Sequence, residues 1–105
     1  MIDPEKSGPE SIQSGAADLQ KLLQLPAIPE VRDRESLAAA IAPAIGRLLN
    51  GHLEKLLQLC YRLDLDEQKL RSILSESPPE KMTQHLSLAI VDRQLIKVHF
   101  RNKYR

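Results

Sequence analysis

The chain has 105 residues, enough for one domain on ordinary size grounds. It carries one Phe, two Tyr and no Trp, so any core has to be aliphatic, and a core of Leu, Ile and Ala favours helix over strand. Fifteen Lys and Arg against fourteen Asp and Glu give a formal net charge of +1, which argues against a protein devoted to neutralising phosphates and against a fully disordered polyion.

The opening segment MIDPEKSGPESIQSG is Pro, Gly, Ser and charge. It holds too little apolar surface to offset its ordering entropy, and is expected to be a disordered tail rather than a secretory signal. Residues 16–25, AADLQKLLQL, place Leu19, Leu22 and Leu23 at helical spacing, with Leu25 as a candidate fourth member of the stripe. Ten residues make a marginal helix, which either docks on its own domain or folds into a partner's groove. Pro26 and Pro29 end it in an extended linker. This divides the chain into a flexible 1–30 region and a helical domain over 31–105.

Ser36, with Asp33 as a rival, caps the next helix. Ile41, Ile45, Leu48, Leu49, Leu53, Leu56, Cys60 and Leu63 then recur at steps of three and four. Pro43 either kinks this run or opens a new first turn. At Asn50-Gly51 both flanks keep a helical period, so a continuous or slightly bent helix is expected. Asp64, with Glu67 in the capping-box position, or Asp66 starts another helix carrying Leu70, Ile73 and Leu74. Pro78-Pro79 stops that helix and opens a last one running to about His99. The expected fold is all-α: a small bundle of about three main helices, a disordered N-terminal tail and a short extra helix.

The last helix is apolar on two opposite sides. Met82, Leu86, Ala89, Ile90, Ile96 and Phe100 share one; Leu88, Val91, Leu95 and Val98 share the other. Such a helix has to be sandwiched. The second cover comes either from the N-terminal helix or from another copy, and homodimerisation through Leu88, Val91, Leu95 and Val98 is the leading expectation. Residues 95–100, LIKVHF, also alternate, so a terminal strand pairing with a second copy is the rival.

No catalytic, cofactor or metal constellation emerges. His85, Asp92 and His99 share one strip but lie seven apart, about 10.5 Å along a helix axis, too far for one ion with bonds near 2 Å. Cys60 falls on an apolar stripe and reads as a small buried hydrophobe. Nucleotide-binding, zinc-protease and nucleophile-elbow motifs are absent from the sequence. The basic end, with Lys97, Arg101, Lys103 and Arg105 beside Phe100 and Tyr104, suits either weak nucleic-acid binding or a dipole-compatible helix terminus. No stretch of about eighteen uncharged apolar residues is present, so no membrane span is expected and the default location is the cytoplasm.

HLEKLLQLCYRLDLDEQKLRSIL, followed by AIVDRQLIKVHFRNKYR, resembles a group of small uncharacterised bacterial proteins. The shared features are the leucine-rich helix ending in Tyr61-Arg62-Leu63-Asp64-Leu65, and a later helix with Asp92-Arg93-Gln94-Leu95 and a basic tail. The resemblance covers about residues 45–105 and implies a helical domain, with no activity attached. Within it, Arg62 and Asp64 are expected to pair with Asp92 or Arg93 and fix an interhelix angle. The expected function is a non-enzymatic helical interaction or structural module without cofactors, partnered by its own copy or another protein. The alternative is a nucleic-acid-associated accessory protein using the basic tail.

Overall fold

Gly8 and Pro9 begin the first helix, Pro supplying a preset φ where its missing N–H costs nothing. The computed structural model describes residues 3–104, which form five α-helices after one 3₁₀ turn at Pro4–Lys6. They are α1 (Pro9–Leu23), α2 (Arg34–Gly51), α3 (Leu53–Arg62), α4 (Glu67–Glu76) and α5 (Pro79–Lys103). The fold is all-α, with no strand among the described residues.

The helix expected over 16–25 starts seven residues earlier. Ile12, Ala16 and Leu19 are fully buried in α1, and of these Ile12 comes from the segment expected to be a disordered tail, whose residues from Pro9 onward are helical. Gly15 explains the docking. A Cβ there would sit 3.1 Å from Leu95 Cδ2, so a larger residue would require the Leu95 side chain to shift by a few tenths of an ångström for α1 to stay this close to α5; toward α2, Leu37 Cδ2 would be in ordinary contact at 3.9 Å. Composition alone hid this, because one isoleucine and a stripe of small residues suffice when the neighbour supplies the bulk. α1 ends with Gln24 at φ 55°, and Leu25 N–H returns to Gln20 C=O in a Schellman arrangement.

Asp33 caps α2, accepting from Ser36 N–H at 2.7 Å, so Ser36 lies inside the first turn and is not the cap. That hydrogen bond holds the Asp33 carboxyl below its usual range. Pro43 is accommodated within α2 on an exposed side. The expected continuous helix instead breaks at His52 (φ −144°, ψ 51°), directly after Asn50-Gly51, two weak helix formers in succession. α2 and α3 are therefore separate elements, and the count of main helices rises above three.

Asp64 does not start α4. It adopts φ 57° and completes a Schellman cap on α3, with Leu65 N–H bonded to Cys60 C=O and Asp64 N–H to Tyr61 C=O. Asp66 caps α4 through Gln68 N–H at 3.1 Å. α5 then runs unbroken to Lys103, so the 95–100 segment is helix and the terminal-strand rival is overturned.

α5 is the central element. Leu86, Ile90, Val91, Leu95 and Val98 are all fully buried on it. α2 packs along it, and α1 covers the side carrying Leu95. Of the two covers the sequence allowed, the chain's own N-terminal helix is in place.

Candidate interaction groove

Two polar ties fix α5 against the first two helices. Arg34, at the start of α2, grips Asp92 with a forked pair of hydrogen bonds, one from Nε to Oδ1 and one from Nη2 to Oδ2 at 2.9 Å. Glu35 at 3.0 Å and Glu5 at 3.6 Å stand beside the same guanidinium, whose pKa is raised by Asp92 first and then by Glu35. On the α1 side, Asp18 accepts from Gln94 Nε2 at 2.9 Å and pairs with Arg101 at 3.0 Å.

The α3 end is tied to α5 differently from the expectation. Arg62 and Asp64 reach neither Asp92 nor Arg93 with their side chains. Instead Arg93 Nε donates to Leu63 C=O at 2.9 Å and Lys97 Nζ to Arg62 C=O at 3.3 Å. The cations of α5 thus satisfy the free carbonyls at the end of α3, where the helix dipole favours positive charge. Asp64 stands 3.9 Å from Lys97 at the rim.

The residues singled out from the sequence are dispersed. Val91, Leu95 and Val98 are fully buried inside the chain and Leu88 is half-buried. Lys97 and Arg101 are engaged as described, Lys103 lies 5.6 Å from the Tyr104 ring, and Arg105 falls outside the described residues. His85 Nδ1 meets Ser77 Oγ at 2.8 Å across the α4–α5 junction. His99 stands edge-on to Phe100 on the surface, and Asp92 belongs to Arg34. The His85–Asp92–His99 strip therefore has three separate fates, and no group of three metal-ligating side chains is assembled among the described residues.

Cys60 is buried, and burial pushes its thiol up to about 11. An unfolded thiol titrates near ~8.5, so the protonated native form is favoured. Its contribution to stability is complete below about pH 8.5 and is lost as pH rises through the folded value near 11. At pH 8 an aromatic disulfide reagent should label Cys60 roughly two orders of magnitude more slowly in the native protein than in urea. Equal rates would place the thiol at the surface.

One feature was invisible in the sequence. Three shallow depressions adjoin through common lining residues: the first and second share Leu23 and Leu48, and the second and third share Leu22 and Arg62. Linked through these shared side chains, they follow one another as a segmented groove from Pro43 on α2, past the end of α1 and along α3, to Arg101 on α5. Its floor is leucine-rich, with Leu22, Leu23 and Leu48 half-buried. Six of the fifteen Lys and Arg residues line it, namely Lys21, Arg47, Lys55, Arg62, Lys97 and Arg101. Only one of the fourteen acids, Asp18, does so, and it is already held by Gln94 and Arg101. Lys21, Arg47, Lys55 and Arg62 make no ion pair with any described residue.

The cations come from four helices and form no run in the sequence, so no linear inspection could collect them. The available signal was weaker: Lys55 and Arg62 lie seven apart on α3, with Gln58 and Leu59 between them on the same face. No protein-family model, curated protein or solved structure matches the chain.

Proposed function

We propose that this chain is a non-enzymatic helical interaction module whose contact surface is the basic, leucine-floored groove between α1, α2, α3 and α5. The observation that carries this reading is charge segregation: a nearly neutral chain gathers six cations and one occupied acid around half-buried leucines. Such a surface steers an acidic partner and offers it apolar burial on arrival.

The non-enzymatic part is supported by how the reactive groups are engaged. Asp92 is held by Arg34 and the Cys60 thiol is buried and protonated at neutral pH. His85 has Ser77 as partner, and the described residues supply no carboxylate bonded to its other nitrogen to orient it as a base. The face of Val91, Leu95 and Val98 serves the chain's own core, so a groove partner fits the geometry better than self-association through that face. Nucleic acid is the competing occupant. Against it, Lys97 and Arg101 of the basic end are tied down internally, and no aromatic side chain lines the groove for base stacking.

The test is comparative co-purification from native cells with the wild-type chain, a Lys55→Gln/Arg62→Gln variant, and a Lys69→Gln control on α4. Proteins retained by the wild type and the control but lost from the groove variant are the expected outcome. Identical retention by all three would sink the reading.

A further inference from the structure

We infer that the occupant of the groove is an acidic amphipathic helix of a partner protein, with leucine-type side chains on one face and carboxylates flanking them. This deepens the reading above and depends on it. Three features of the groove select that class of ligand.

The first is the division of labour between floor and rim. Leu22, Leu23 and Leu48 are half-buried and close together at the join of the depressions. They form an apolar strip with cations on either hand: Lys55 and Arg62 on the α3 wall, Lys21 and Arg101 toward the α1–α5 wall. A polyanion without apolar groups would leave this strip uncovered. An amphipathic helix brings apolar anchors at i, i+3, i+4 and i+7 and places its charged flanks over the rim.

The second is length. Pro43 to Gly51 on α2 and Lys55 to Arg62 on α3 each supply about 10–12 Å of wall at 1.5 Å per residue. A ligand helix of about fourteen residues, roughly 21 Å, is longer than either wall alone and brings nearly four turns of apolar anchors to the leucines the two walls share.

The third is the state of the charges. Lys55 and Arg62 stand one above the other on α3, exposed and without ion-pair partners among the described residues. Asp18 and Asp64 occupy Arg101 and Lys97 at the α5 end, so three of the four free cations, Arg47, Lys55 and Arg62, lie at the α2 and α3 end and Lys21 alone at the other. The acidic flank of the ligand is therefore expected to concentrate over α3.

The test uses the full chain and four synthetic probes, followed by titration calorimetry at low and moderate salt. The first probe is a fourteen-residue peptide with leucines at helical spacing and glutamates elsewhere. The second is the same composition with leucines scattered round the wheel. The third is a fourteen-residue oligoglutamate, and the fourth a fourteen-nucleotide single-stranded DNA. The first is expected to bind at least ten-fold more tightly than the second and third. Lys55→Gln/Arg62→Gln is expected to weaken it about ten-fold, two surface charge pairs at ~0.7 kcal/mol each. Leu22→Ser weakens it without changing the salt dependence. Lys69→Gln on α4 leaves it unchanged, and circular dichroism verifies that each variant remains folded.

If the scattered peptide or oligoglutamate bound as tightly as the first, the amphipathic-helix inference would fail while the groove reading survived. If DNA bound most tightly and lost affinity in the groove variant, both would fail in favour of a nucleic-acid site. If no acidic probe bound, or if binding ignored Lys55 and Arg62, both would also fail.

Discussion

Leu95→Ala is expected to lower the free energy of unfolding by about 3–4 kcal/mol, by an amount independent of protein concentration. The side chain is fully buried, with one methyl against the bare backbone of Gly15. Truncating it removes the apolar transfer term and leaves a cavity where three helices meet. The glycine opposite has no side chain with which to fill the space, so collapse is limited and the loss falls in the upper part of the usual range. Urea unfolding at two concentrations ten-fold apart separates this from the alternative. An intramolecular core gives the same midpoint shift at both. An interface between copies gives a midpoint that moves with concentration in the wild type, and a smaller or vanishing concentration dependence in the variant.

The second large effect is expected at Asp92. Its carboxylate and the Arg34 guanidinium have side-chain exposures of 19% and 14%, too buried to resemble an ordinary surface pair. Breaking a buried pair by removing one partner costs about 3–5 kcal/mol, and exposed pairs are worth under about 1. Asp92→Ala should therefore cost about 2–3 kcal/mol, moderated because Glu35 and Glu5 still face the guanidinium. Denaturant midpoints at an unchanged slope would measure it. Replacing both partners, Arg34→Met with Asp92→Leu, should recover most of the loss, because no uncompensated charge remains. A double variant as unstable as Asp92→Ala alone would show that the pair does more than hold α2 to α5.

The helical class was legible because leucine and alanine at steps of three and four leave little room for another reading. The two-sided α5 was equally legible, along with its need for two covers. Its actual cover was not, because the evidence was a glycine. Gly15 contributes nothing to an apolar stripe, and its value appears only when Leu95 lies opposite. The break at His52 was missed for a related reason. Asn50-Gly51 carries a penalty of only about 1 kcal/mol, which tertiary packing can overrule in either direction. The caps were legible only as pairs of alternatives: Asp33 or Ser36, and Asp66 or Asp64, neighbouring side chains of similar capping strength between which the structure takes Asp33 and Asp66. Of the groove, only the seven-residue spacing of Lys55 and Arg62 on α3 was legible. Its cations belong to four helices, and their convergence is a property of packing angles, not of spacing along the chain.

The partnership of α1 with α5 also governs how this protein comes into being during synthesis. Asp18 and its partners Gln94 and Arg101 are separated by more than seventy positions, so their meeting closes a loop comprising most of the chain. Until α5 has left the ribosome, the stripe of Ile12, Ala16 and Leu19 on α1 lacks its main cover, and Ile41 and Ile45 of α2 lack their main neighbour as well. Cooperative folding must therefore wait for the C-terminal helix, and a nascent chain stalled before Pro79 presents its leucines and isoleucines to whatever first binds apolar surface.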